Sequence, residues 1–141
     1  TKALFNMSKK VDYFSLFARL AIAMSFLSAV ADRIGLWTPI LGSENVVWGN
    51  MENFIVYTGV LVPWIPNQIL PLLGWSVTFV EVVLGVLLII GFQQRIVALF
   101  SGILLLTFAF SMLFFTSFKA PLDYSVFTAA ACSFLLYRDS K

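Results

Sequence analysis

Glu81 is the only charged residue in the apolar run Leu72–Phe92. A carboxylate in hydrocarbon costs about 2.5–3.5 kcal/mol on insertion scales, so such a group faces a bundle interior, a water-filled cavity or a partner. Three further charges border or enter apolar segments: Arg19, Asp32 and Arg33. Guanidinium and carboxylate in a low dielectric can neutralise one another, handle a proton, or hold the carbonyl of a ligand. Arg19 lies roughly 7 Å along the helix axis from the level of Glu81, at 1.5 Å rise per residue. An Arg19–Glu81 ion pair is the pairing this offset predicts, with headgroup snorkelling of Arg19 as the alternative. Without Arg19, Glu81 would be protonated and bonded to backbone, Thr107 or Ser111. Asp32 and Arg33 read as helix-end charges or as ligand contacts at the outer interface, close to Lys119 and Asp123.

The rest of the composition narrows the chemistry. The chain has 141 residues, 60% hydrophobic and 11% charged, with mean hydropathy +0.94. Soluble domains carry about 25% charged residues, so this is membrane composition. There is no histidine and a single cysteine, Cys132. Histidine metal sites, haem ligation, histidine base catalysis, disulfides and Cys-x-x-Cys redox chemistry are all removed from consideration. No metal site is expected, and a net charge of +2 suggests no nucleic-acid partner.

These residues are positioned by an all-α integral membrane domain over 1–141, a four-helix transmembrane bundle. The apolar runs predict spans over about 13–30, 72–92, 96–118 and 122–137. Pro121 suits the first turn of the last one. From Glu81, steps of three and four reach Gly74, Thr78, Gly85 and Leu88, which share one face. Its small residues make it a packing face for another helix, and Gly91 belongs to the same packing set. Phenylalanines of the third span, Phe108 among them, either wall a ligand or face lipid.

Between the first two spans, residues 34–71 hold Pro39, Pro63, Pro66 and Pro71, and all four tryptophans fall at Trp37, Trp48, Trp64 and Trp75. Tryptophan favours the headgroup level. The stretch therefore reads as an outer interfacial cap, helical over about 46–61, in which the later prolines forbid a regular continuation. The tryptophans are its interface anchors. With four spans, Lys2, Lys9, Lys10, Arg95, Arg138 and Lys141 share one side, against Arg33 and Lys119 on the other. That bias puts both termini in the cytoplasm.

Glu81-x-x-x-Gly85 with Gly91-x-x-x-Arg95, following the Leu73-Gly74-Trp75 turn, resembles the DoxX family of small four-helix bacterial membrane proteins. RLAIAMSFLSAVADRIGLW (Arg19–Trp37), WGNMENFIVYTGVLVPWIP (Trp48–Pro66) and KAPLDYSVF (Lys119–Phe127) are similar to segments of the same family. The resemblance runs from Arg19 to Tyr137. It departs at Asp32-Arg33, where many members have glycine and lysine, and at the C-terminus, which lacks a glycine-rich tail. It implies a multi-pass protein of the bacterial inner membrane, and a membrane subunit of a quinone-linked redox complex. Arg19, Glu81, Gly85, Gly91 and Arg95 match the family's recurring positions.

The leading expectation is then a subunit with no metal or flavin centre of its own. It would offer a quinone pocket under the tryptophan cap and contact other membrane or periplasmic redox subunits, or further copies of itself. A non-catalytic scaffold, assembly or lipid-binding protein is the alternative. A transporter centred on Glu81 ranks third, because inverted repeats and broken spans are absent.

Overall fold

Asp12 begins the first helix by accepting hydrogen bonds from the backbone N–H groups of Phe14 (3.1 Å) and Ser15 (3.3 Å). This satisfies two of the donors that a helix start leaves open. The computed structural model describes residues 12–140, and every regular element among them is helical. Helix α1 (Tyr13–Arg33) runs one turn beyond the expected span, so Asp32 and Arg33 belong to it. It stops at Gly35, whose φ of +81° is left-handed. There Gly35 N–H donates to Asp32 O and Leu36 N–H to Ala31 O, the Schellman pattern.

The segment after α1 holds a one-turn helix α2 (Thr38–Leu41), a 3₁₀ turn at Ser43–Asn45, and helix α3 (Met51–Leu61). Asn50 caps α3 by accepting from Asn53 N–H at 2.8 Å. Pro63 stops α3 by disfavouring helical geometry at Val62. Pro71 corrects an expectation: it does not block a helix but sits in the first turn of α4 (Leu70–Ile90). The first turn needs no N–H at that position, so proline is tolerated there. Helix α5 (Gln94–Phe115) follows a turn at Gly91–Gln93.

The expected fourth span over 122–137 is not one helix. It is divided into a one-turn α6 (Ala120–Asp123) and α7 (Val126–Asp139), separated at Tyr124–Ser125, where Ser125 has φ +56°. The 14 residues of α7 rise about 21 Å, short of a hydrocarbon core about 30 Å thick. Three helices, α1, α4 and α5, are long and apolar enough to cross a membrane.

Two antiparallel pairs, α1 with α4 and α5 with α7, form the body and also touch through α1–α7 and α4–α5. Their shared core includes Ile22, Phe26, Leu84, Leu88, Val97 and Leu136. Small residues set the close approaches. A Cβ on Gly85 would lie 3.0 Å from Leu27 of α1, and one on Gly102 would lie 2.7 Å from the Phe134 ring of α7. Helix α3 lies against α4 and α5, at the end of the body where α1 finishes. The outer faces are apolar, with Phe14, Phe79, Phe100 and Phe114 all well exposed, as lipid-facing surfaces are. Lys2, Lys9, Lys10 and Lys141, which entered the charge-bias argument, lie outside the described residues.

Candidate functional site

Arg33 is the partner of Glu81. Its Nη1 donates to Glu81 Oε2, and its Nη2 donates to Glu81 Oε1 at 3.3 Å. Both residues are 2% exposed. The expected Arg19–Glu81 pair does not form, and the reason is directional. Side chains on a helix tilt toward its N-terminus. In the antiparallel α1–α4 pair, Arg33 leans back along α1 while Glu81 leans toward the start of α4, so the two converge. Arg19 leans the same way as Arg33, toward the start of α1, and from its lower position that tilt carries it away from Glu81 and toward the end of α4. Counting axial rise alone misses this tilt. Of the hydroxyls named as alternative partners for Glu81, Thr107 donates to Ile103 O instead, and neither Thr107 nor Ser111 bonds the carboxylate.

Two aromatic rings and a hydroxyl complete the surroundings of Arg33. Its guanidinium carbon stands 3.7 Å from the Phe54 ring centre and 4.9 Å from that of Trp48, both within cation–π range. Thr78 accepts from Arg33 Nη1 at 3.2 Å and donates its own proton to Gly74 O at 2.8 Å. Arg33 Nε is buried with no acceptor among the described residues.

Asp32 turns the opposite way. Its carboxylate accepts from the backbone N–H groups of Val47 (2.9 Å), Trp48 (3.3 Å) and Gly49 (2.8 Å). The 47–49 strip is thereby held over the end of α1, and Trp48 is delivered to the face of Arg33. Gly35 and Gly49 both have positive φ, and a Cβ on Gly35 would come within 3.3 Å of Gly49 O. Lys119 and Asp123, the charges placed at the same outer interface as Asp32 and Arg33, bond one another instead at 2.7 Å.

Arg19 has a different task at the far end of α4. Its Nε donates to Leu88 O at 2.9 Å and its Nη2 to Ile89 O at 3.1 Å. The last carbonyls of a helix lack intrahelical donors and carry the negative end of its dipole, so a cation is favoured there. Gly91, expected among the packing residues, instead closes α4 at φ +82°. A Cβ there would stand 2.7 Å from Arg19 Nη2. Gly74, Thr78, Glu81, Gly85 and Leu88 are all buried on α4. Gly85 meets α1, whereas Gly74 meets Ile55 of α3 at 3.1 Å.

The tryptophans divide. Trp64 and Trp75 are exposed, and Trp64 also packs on Phe115. Trp37 donates to Ser28 O at 3.1 Å and folds back on α1. Trp48, expected as an interface anchor, turns inward and makes an edge-on contact with Phe54 at 5.1 Å. The Arg33 cation and the Asp32 clamp supply the reason.

Beside this cluster lies a cavity of about 360 Å³, walled by Phe26, Trp48, Phe54, Tyr57, Leu61 and Phe108, with Arg33 and Glu81 in its lining. Tyr124, from the break between α6 and α7, also lines it. The volume lies within the usual range of small-molecule sites, as does the mix of aromatic wall and few polar groups. Phe54, Tyr57 and Leu61 share one face of α3 at steps of three and four, so their role as one wall was readable from spacing. Tyr124 gave no such signal. A second apolar groove between α4 and α5, lined by Phe79, Phe100 and Ile103, contains no charged residue. Among the described residues, no cluster of side chains could hold a metal ion. No known protein family, characterised protein or solved structure matches this chain.

Proposed function

We propose that this is a DoxX-like integral membrane protein that binds a small, largely apolar molecule, a quinone foremost, as the membrane subunit of a redox complex. The carrying observation is the aromatic cavity of about 360 Å³ beside the Arg33–Glu81 pair. The chain has no histidine and one cysteine, so in this reading the electron-carrying centres belong to a partner or to the quinone itself. The α7 segment completes a fourth crossing in this reading, with the bilayer thinned locally around it. Residues 34–69 form the outer cap, and both termini face the bacterial cytoplasm.

The test is solvent extraction of protein purified from native membranes, with the extract analysed by mass spectrometry. A quinone in near-stoichiometric amount is expected, and it should be lost in Ala29→Trp, which fills the cavity from α1. A quinone content no higher than that of the surrounding lipid, or equal content in the filled variant, would refute the proposal.

A non-catalytic scaffold is the second reading. It draws on the engagement of both carboxylates within the fold, since both Glu81 oxygens accept from Arg33 and the Asp32 carboxylate accepts from the 47–49 backbone. Intact respiratory turnover in a strain carrying Ala29→Trp would favour it.

A further inference from the structure

The hydrogen-bonding capacity left over in the cavity defines what it can hold. Six lining residues carry polar groups on their side chains: Ser25, Arg33, Trp48, Tyr57, Glu81 and Tyr124. Ser25 donates to Ala21 O at 2.9 Å within α1. Both Glu81 oxygens accept from Arg33, and both Arg33 Nη groups are engaged by Glu81 or Thr78. The groups left over are the Tyr57 and Tyr124 hydroxyls and the Trp48 indole N–H, for which no hydrogen bond is found among the described residues, and the buried Arg33 Nε–H. All four can donate, and the indole N–H and the Arg33 Nε–H can only donate. The one cation of the site is already neutralised by the one carboxylate, so no net charge remains for an ionic ligand.

We infer that the cavity takes an uncharged ring bearing a carbonyl acceptor, with the Tyr57 hydroxyl as the donor that sets this preference and Tyr124 as a second donor at the cavity mouth. The inference rests on the binding function proposed above and deepens it. Tyr57 is half-buried on α3, and the Tyr124 side chain is largely exposed. Burial, and then the neighbouring Tyr124, push the Tyr57 phenol above its ordinary value of 10, so it remains a protonated donor across the physiological range. A carboxylate ligand would meet no free cation and would have to leave water uncompensated.

Binding to the full chain in lipid nanodiscs, corrected for empty nanodiscs, tests this by calorimetry with three probes. They are a short-chain alkyl benzoquinone, an alkyl arene of similar size without carbonyls, and an alkyl benzoate anion. Wild type should bind the quinone at least about fivefold more tightly than the arene, the worth of one neutral hydrogen bond, and the benzoate more weakly still. Tyr57→Phe, which removes one oxygen, should erase most of the quinone preference and leave arene affinity unchanged. Tyr124→Phe should have a smaller effect in the same direction. Unchanged circular dichroism of both variants ties any loss to the hydroxyl. Quinone and arene bound equally by wild type, an undiminished preference in Tyr57→Phe, or tighter binding of benzoate would each overturn the inference while leaving a binding cavity standing. Binding of none of the probes would overturn the proposed function itself.

Discussion

Arg33 closes on Glu81 with both of its terminal nitrogens, across 48 residues of sequence and from the last turn of one helix to the middle of another. The pair costs desolvation on both sides, and its contribution is best judged by what happens when half of it is removed. Arg33→Met or Glu81→Leu alone leaves a buried, unmatched charge and should destabilise by about 3–5 kcal/mol. The double variant should recover most of that loss. Reversible unfolding in mixed micelles, carried out as a double-mutant cycle, measures the coupling. Additive single losses would show that the two charges are independent.

Asp32 should govern the loop rather than the bundle. Asp32→Ala strips the acceptor from the amides of Val47, Trp48 and Gly49. Bonds to a charged acceptor contribute about 1.5–3 kcal/mol each, so these amides should exchange hydrogen at least about tenfold faster. Exchange within α4 and α5 should be unaltered. Amide exchange followed by mass spectrometry reads both regions at once, and protection retained at 47–49 would contradict the clamp.

Arg19 should act through the end of α4 and not through Glu81. Arg19→Gln removes a cation from the last carbonyls, an effect of about 0.3–1 kcal/mol for the dipole, plus the loss of two hydrogen bonds. Gly91→Ala should cost more, because it forces a side chain into left-handed backbone and against Arg19. In the Arg19→Gln background the penalty of Gly91→Ala should shrink, as the guanidinium that the Cβ would meet is gone. Thermal unfolding of the four proteins tests this ordering.

The cap of α1 carries a pH signature. Hydrogen bonds from the Ser15 side chain and backbone, and then from Phe14 N–H, hold the Asp12 carboxyl below its ordinary value of 3.8. A folded value below the unfolded one means that the contribution is complete above about pH 4 and is lost as pH falls through the lower, folded value. The amide resonances of Phe14 and Ser15 should therefore shift with a midpoint below 3.8. The shift should disappear in Asp12→Asn. A midpoint at or above 3.8 would show that the cap is not formed.

Much of the scaffold is written in local sequence. The apolar runs mark α1, α4 and α5 to within a turn, and steps of three and four from Glu81 trace the buried face of α4. What escaped was non-local. Arg33 ends a helix and reads as a surface charge until the antiparallel partner and the backward tilt of its side chain are known. Asp32 shows its role only when the chain returns fifteen residues later to present Val47. The interruption before α7 rests on Ser125 at positive φ, with no glycine or proline at the break to announce it. Trp48 carries the residue type of an interface anchor, and the nearby cation together with the Asp32 clamp turns it inward.

Biosynthesis meets the Arg33–Glu81 pair as a timing problem. Arg33 leaves the ribosome 48 residues ahead of the carboxylate that neutralises it. A lone α1 entering lipid would carry an unmatched cation in its last turn, and a lone α4 would carry an unmatched anion at its centre. Partition of the two as one hairpin spares both costs at once. The loop between them, already tied to the end of α1 through Asp32, shortens the search that brings the second helix to the first.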